Sequence, residues 1–403
     1  MQPLLTQLLN LDSVVVEDYY DLGEQIILEI ETTKDCAICP RCGQMSYNTH
    51  QNHFHMARDL SISNRQVYLK FNRRQFKCHS CKKPFSETLD FIGKRRRHTD
   101  RFAEMIVQQV IHSDTHNVAQ NNSLTDDEVW SMVEYMSKKQ WSLDLSELRR
   151  LGMDEISLRK GQDDYVVVFV DLDKKELVGL AESRKHKDIK EVLESWGDKV
   201  LSQIKEVSID LSGNYRGLVQ KVLPEADIVA DRFHVMKLVN EELNRARNAE
   251  KREINDLKDE AQKKELQAIL KNSKYALLKP EGRLTEKQRL KLKEVKEASP
   301  KLAEMHRHKE LFRTIFEESR NWKDGVFKLL DWLKDAQSIF QSSAATIGRW
   351  FEEISNYFES RTTSGAVEGI NNRLKLIKRL GYGFRNFENF RLRCLICWHL
   401  TIS

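Results

Sequence analysis

Apolar and polar positions alternate in RQVYLKFNRRQFKC, Arg65 to Cys78, and such a period of two predicts a β-strand. From Gly93 to Gln140 the period lengthens. Thr99 is placed as an N-cap, and behind it Phe102, Ile106 and Val110 recur every four residues as one apolar stripe. The short segment THNVAQNN and a second capped start, SLTDDEVWSMVEYMSK, complete a helix-turn-helix pattern whose last helix, Asp126 to Lys138, would read DNA.

Strands return at Leu151. GMDEISL reads as a first strand containing Asp154, and DDYVVVFVDLDKKELVGLAESR as a hairpin with a Lys-rich turn. KDIKEVLESWGDKVLSQI reads as one helix, with Ile189, Val192, Leu193, Trp196 and Val200 on its apolar side. KEVSIDLS is a fourth strand ending at Asp210, NYRGLVQKVLP a short helix closed by Pro224, and ADIVADRFH a fifth strand ending at Asp231. Three antiparallel strands, a helical crossover and parallel strands separated by helices form the RNase H-like plan, in which the first and fourth strands are neighbours.

Val239 to Arg361 is nearly free of glycine and rich in Lys and Glu, with Trp322, Trp332 and Trp350, so it is expected to be all helical. Its segment EKREINDLKDEAQKKELQAILKNSKYALL has heptad-like apolar spacing. That spacing suits either a coiled-coil-like arm or a plain solvated helix pair.

At 403 residues the chain is too long for one ordinary domain. No stretch approaches the ~18 apolar residues of a membrane span, and the acidic start is unlike a signal peptide, so a soluble, cytoplasmic protein without a membrane partner is expected. The net charge of +5 hides segregation. Residues 1–33 carry seven acids and no Lys or Arg, whereas Lys34 to Phe102 hold 15 basic and five acidic residues. A polyanion would meet the second segment, and the run Lys94, Arg95, Arg96, Arg97 suits a phosphate backbone.

Seven cysteines grouped as CxxC pairs fit metal binding in a reducing compartment better than disulfides. Cys39 and Cys42 of CPRC with Cys78 and Cys81 of CHSC have zinc-ribbon spacing, which closes a tetrahedral thiolate shell around Zn²⁺ and leaves no position open for catalysis. Cys36 makes a third CxxC with Cys39 and leaves the ligand set ambiguous; His50, His53, His55 and His79 compete more weakly. Cys394 and Cys397, in the apolar run CLICWHL, read as buried small hydrophobes.

In the RNase H-like plan Asp154 and Asp210 face each other across neighbouring strands, at the sheet edge where a cleft can open. Taken singly, each could be a turn or cap residue. Together they repel unless a hard divalent cation such as Mg²⁺ (or Mn²⁺) neutralises them. Glu368 is the third member. It opens a basic helix on a stripe with Asn372, Lys375 and Arg379, while Val367, Ile370, Leu374 and Ile377 form the packing face. The macrodipole alone could also account for a Glu there.

The chain resembles, over almost its whole length, the bacterial insertion-sequence transposases of the ISL-three family, DDE class. The resemblance rests on CPRCG with FKCHSCKKPFSE, on GMDEISLRKG, on SIDLSGNYRGLVQKVLPEADIVADRFHVMK and on SGAVEGINNRLKLIKRLGYGFRNFENFRLR. It implies an α/β multidomain chain: a zinc-ribbon module over 1–92, a helix-turn-helix domain over 93–145, an RNase H-like catalytic domain from 150–238 and 361–403, and an all-helical insertion over 239–360. Asp154, Asp210 and Glu368 would be the DDE triad holding Mg²⁺, with Asp231 and His234 of DRFH supporting it from behind, and Lys375 and Arg379 facing DNA. The implied activity is a polynucleotidyl transfer: binding of the element's terminal inverted repeats, cleavage, and strand transfer to target DNA. The partners would be double-stranded DNA and a second or further copy of the chain, in the nucleoid. A DNA-binding repressor, or a domesticated transposase without strand transfer, is the alternative.

Overall fold

The computed structural model describes residues 1–140, 143–159, 164–362, 365–381, 383–384 and 386–400. The end of GMDEISLRKG and positions 364, 382 and 385 of the C-terminal motif lie outside the described residues. The chain forms two compact units, Met1–Ser142 with two short C-terminal pieces, and Leu143–Arg379 with Gly383–Trp398.

The first unit opens with α1 (Gln2–Leu9) and the strands β1 (Val14–Asp21) and β2 (Gln25–Thr32), followed by a small hairpin of β3 (Ala37–Ile38) and β4 (Met45–Ser46). Two long strands, β5 (Thr49–Ile62) and β6 (Arg65–Lys77), and the short β7 (Pro84–Ser86) complete its sheets. The larger sheet runs β1-β2-β6-β5, with β2 and β6 parallel and β7 added to β6. Alternation along β6 buries Val67, Leu69 and Phe71 against Val16, Leu28 and Ile30, as the period of two requires. Three helices follow, α2 (Asp100–His112), α3 (Thr115–Asn121) and α4 (Asp126–Gln140). Thr99 caps α2 by accepting from the Phe102 amide, and Thr125 and Glu128 cap α4 reciprocally.

The expected boundary at residues 92 and 93 does not divide this unit. Asp59 of β5, 1% exposed, accepts from the Thr99 hydroxyl at 2.7 Å and from Arg101 Nε at 2.8 Å. The backbone of Arg58 bonds on both sides, its N–H to the Arg97 carbonyl and its C=O to the Thr99 N–H, each at 2.9 Å. The basic run is thereby laid along β5 and fixed to the start of α2.

The second unit begins with β8 (Arg150–Arg159), β9 (Asp164–Asp171) and β10 (Glu176–Ala181), then α5 (His186–Ser195), α6 (Asp198–Gln203), β11 (Glu206–Ile209), α7 (Gly213–Val222) and β12 (Asp227–Ala230). The sheet order is β10-β9-β8-β11-β12, antiparallel through β8 and parallel thereafter, so the first and fourth strands are adjacent. The single helix expected over residues 187–204 is two, because Gly197 at φ +82° breaks it between α5 and α6. The fifth strand stops at Ala230, and Asp231 instead caps a long helix, α8 (Arg232–Asn255), through the Phe233 amide.

From there the described residues are helical up to Ser360: α9 (Glu260–Leu270), α10 (Lys274–Leu278), α11 (Glu286–Ala298), α12 (Pro300–Glu318), α13 (Trp322–Ala336), α14 (Gln341–Arg349) and α15 (Phe351–Ser360). The expected start at 239 falls inside α8, which crosses it unbroken. The heptad-like segment does not project as an arm. It turns after Asn255 and packs α9 on α8, burying Leu270, Ala276 and Leu277. Two helices close the chain, α16 (Gly365–Leu380) and α17 (Phe387–His399). Cys394 is buried in α17 and Cys397 partly so, and burial pushes both thiols up, as befits packing groups. No helix among the described residues is long and apolar enough to cross a membrane.

Candidate functional site

α16 lies along β8. Gly152 makes the approach close, because a Cβ there would stand 2.9 Å from Val367 Cγ2 and 2.8 Å from Leu172 Cδ2. Further along, Asn371 Nδ2 donates to Asp154 Oδ2 at 2.7 Å, and Lys378 Nζ donates to the Ser157 carbonyl at 2.9 Å. Val367, Ile370, Leu374 and Ile377 are the buried face, as the helical period requires.

The parallel register pairs Gly152 with Ser208, and Asp154 and Asp210 each stand two residues beyond that pair. Asp154 lies within β8 and Asp210 directly follows β11, two adjacent interior strands of the sheet, rather than at a lateral edge. Burial pushes both carboxyls up, Asp210 to about 6, with Glu155 and Asp154 adding repulsion there and His234 opposing it. One oxygen of Asp210, Oδ1, is buried with no hydrogen-bond partner, whereas Asp154 is held by Asn371 and by the Glu155 amide at 2.8 Å.

His234 acts electrostatically on this pair. Its Nδ1 lies 2.9 Å from Asp231 Oδ2, and that bond raises its pKa, with further help from the charges of Asp231, Asp154 and Asp210. Asp231 is occupied twice, by His234 and by the Phe233 amide that it caps. Glu155, next to Asp154, accepts from the Tyr215 hydroxyl at 2.8 Å and pairs with Arg184 at 3.6 Å.

Glu368 is exposed in the first turn of α16, one turn before Asn371. Among the described residues the one group of three or more His, Cys, Asp or Glu side chains close enough together to hold a metal ion is the four-cysteine set, and Asp154, Asp210 and Glu368 do not form such a group. Asn372, Lys375 and Arg379 share the exposed side of the helix with Glu368. Asn371 is the residue that sequence reasoning missed. It falls on the apolar face between Ile370 and Leu374, and a polar residue on that face was the available signal.

In the first unit Cys39, Cys42, Cys78 and Cys81 are brought together, with Cys36 and the four histidines outside the group. Gly43 at φ +72° turns the first knuckle, and the Cys81 amide donates to Cys78 Sγ in the second. The Arg41 amide draws the Cys39 thiol down to about 7, while the Cys42 sulfur beside it pushes Cys81 up to about 12. Four sulfurs so close cannot all ionise without a cation, and a tetrahedral Zn²⁺ with Zn–S bonds of about 2.3 Å would fill such a cluster. The set supports structural zinc.

The basic run before α2 is not uniform. Lys94, Arg95 and Arg97 are exposed, but Arg96 donates to Ser131 Oγ at 2.7 Å and lies 4.4 Å over the Tyr135 ring. It anchors α4. That helix begins on Asp126, Asp127 and Glu128, and its basic residues, Lys138 and Lys139, come only in its last turn.

Comparison with known proteins agrees with this layout. The profile of the ISL3 transposase domain, described as "Transposase", matches residues 151–394. The chain belongs to the ISL3 family of transposases. Ahead of that domain, residues 87–135 match the "Helix-turn-helix domain of transposase family ISL3", and residues 36–81 the "zinc-finger of transposase IS204/IS1001/IS1096/IS1165". The transposase for insertion sequence element IS1001 of Bordetella parapertussis is 28% identical over 387 residues, 93% of this chain and 91% of that protein. The transposase for insertion sequence element IS1557 of Mycobacterium tuberculosis is 29% identical over 263 residues, 60% of this chain and 58% of that one. This ISL3 transposase thus carries ribbon, helix-turn-helix and DDE domains in that order.

Proposed function

We propose that this ISL3 transposase binds the terminal inverted repeats of its element, cleaves at their ends and joins them to target DNA, using Asp154, Asp210 and Glu368 on an RNase H-like sheet interrupted by an all-helical insertion. The observation that carries the reading is the pair Asp154 and Asp210, each two residues beyond the Gly152–Ser208 register pair, with raised pKa values and one buried oxygen lacking a partner. Such a pair is a poor structural device and a good divalent-cation site.

Asp154 and Asp210 would hold Mg²⁺ or Mn²⁺, with Glu368 completing the set from α16. The ions supply charge neutralisation at the phosphodiester and activation of the attacking water or 3′ hydroxyl. The protein's own share is positioning. Asn371 fixes the Asp154 carboxylate, and His234, held by Asp231, has its pKa raised by that bond and by the charges of the two acids. Lys375 and Arg379, on the same side of α16 as Glu368, suit the backbone of the bound DNA. The zinc-bearing first unit, with Lys94, Arg95 and Arg97, would engage the element ends. Transposition on nucleoid DNA in the cytoplasm by a dimer or larger assembly completes the reading.

The test is a cleavage and joining assay on a duplex carrying the element end, with Mg²⁺ and with Ca²⁺. Cleavage with Mg²⁺ that Asp210→Asn abolishes supports the enzyme; end binding without cleavage returns the protein to a repressor.

A further inference from the structure

A cavity of about 440 Å³ opens in the first unit between β5, β6, the basic run and α4. Arg58 lines it together with Tyr68 and Phe102, and Arg95 and Arg97 stand exposed around it. Arg58 is only 9% exposed. Its guanidinium lies 4.8 Å over the Phe102 ring, Nη1 is 3.5 Å from the Ser123 carbonyl, and Nε is buried with no partner. Among the described residues Arg58 makes no salt bridge. Glu128, the one carboxylate lining the cavity, already accepts from the amide and the hydroxyl of Thr125.

A buried guanidinium left without an anion is costly, with several kcal/mol of desolvation on the scale of such groups. Burial accordingly depresses the Arg58 pKa, and only weaker fields from Tyr68 and Glu128 oppose it. Arg95, beside it, is held at φ +57°, a conformation that a non-glycine residue keeps only when its surroundings impose it. A guanidinium with donors free, between two further arginines and backed by an aromatic ring, matches the fork that binds a phosphate.

We infer that this cavity seats one backbone phosphate of duplex DNA, gripped by Arg58 from within and by Arg95 and Arg97 at its mouth. The inference rests on the reading of the first unit as DNA-binding and adds a buried contact to the exposed basic run.

The experiment uses the full-length, zinc-loaded chain and a 30-base-pair duplex of mixed sequence, with affinity measured as a function of salt. Each phosphate contact contributes about 0.9 to the slope of log K against log salt, so Arg58→Met should flatten the slope by about one. An Arg58→Met protein that melts cooperatively, keeps its zinc and shows the wild-type slope overturns the proposal. If Arg58→Met does not fold, Arg58→Gln, which keeps a polar side chain in the cavity, decides: a slope flattened by about one supports the seat and an unchanged one overturns it. Pyrophosphate provides a second arm. Pyrophosphate binding that depends on Arg58, with the duplex slope unaltered by Arg58→Met, would mean a free-phosphate pocket and would also overturn it. A wild-type chain whose duplex affinity does not vary with salt would remove the DNA-binding reading itself, an outcome separable from all of these.

Discussion

Asn371 reaches across 217 residues of sequence to donate its amide to Asp154, Nδ2 to Oδ2 at 2.7 Å, and its own Oδ1 is left buried without a partner. The bond fixes one oxygen of a carboxylate whose neighbour across the strands is Asp210. Groups that orient metal ligands typically affect affinity by 10–100-fold when removed. Asn371→Ala should therefore raise the Mg²⁺ concentration needed for half-maximal cleavage by about that factor, while Asn372→Ala, on the exposed side of α16, should leave it near wild type. Equal Mg²⁺ requirements in the two variants would reduce the Asn371 bond to a packing contact.

Asp154→Asn, Asp210→Asn and Glu368→Gln should each abolish cleavage and joining while duplex binding persists. An amide keeps the shape of the carboxylate but brings no negative charge to a hard cation. Asp231→Asn should be milder, because Asp231 acts through His234 and through the cap of α8. Glu368 is the sharpest case, being exposed and not grouped with the two aspartates closely enough to hold a metal ion. Near-wild-type cleavage by Glu368→Gln would make it a helix-start residue and turn attention to Glu155, which bears on the charge of Asp210.

Zinc content of purified protein checks the ribbon. Cys39→Ser/Cys78→Ser should lose the metal, whereas Cys36→Ser should keep one equivalent, because Cys36 lies outside the four-sulfur group. Full zinc in the double variant would exclude this shell.

The legible parts of the chain were the local ones. Thr99 and Thr125 announce helices because a cap needs only the next three residues, and the CxxC knuckles announce themselves because both ligands lie in one turn. The strand order followed from the alternation of elements. Backbone exceptions were harder to see. Gly197 splits a continuous apolar period, and Asp231 converts the end of an apparent strand into a helix cap. Contacts between distant segments were invisible: neither Asp59 with Thr99 and Arg101, nor Arg58 against the basic run, has any signature in spacing. The acidic first 33 residues gave no period strong enough to reveal the α1–β1–β2 arrangement.

Asp210 makes stability depend on pH in a direction opposite to an ordinary ion-paired carboxylate. Its folded pKa, about 6, is raised above the ordinary 3.8. The contribution is therefore fully present below pH ~4 and lost as pH rises through about 6, where burying the charge costs up to about 3 kcal/mol. In metal-free buffer Asp210→Asn should be the more stable protein at pH 7.5, with the difference vanishing near pH 4. Mg²⁺ should stabilise the wild type and not the variant. Urea denaturation at the two pH values, with and without Mg²⁺, reads all of this, and a variant less stable at pH 7.5 would contradict it.

His306, in α12, presents the reverse case. It is fully buried, and neither ring nitrogen has a hydrogen-bond partner. Burial lowers its pKa to about 3, with the charges of Lys309 and Lys296 acting in the same direction and Glu310 weakly against. In the unfolded chain the ring titrates near 6.5, so as pH falls below that value the unfolded state takes up a proton that the folded state refuses. Stability is then complete above pH ~6.5 and declines toward pH ~3 at up to about 1.4 kcal/mol per unit. His306→Met keeps the volume and removes the titration, and it also removes two buried polar atoms without partners. Between pH 7 and pH 5 the wild type should lose about 2 kcal/mol more than the variant in urea unfolding. Parallel losses in the two proteins would mean that the ring is hydrated or charged inside the helical region, contrary to its burial.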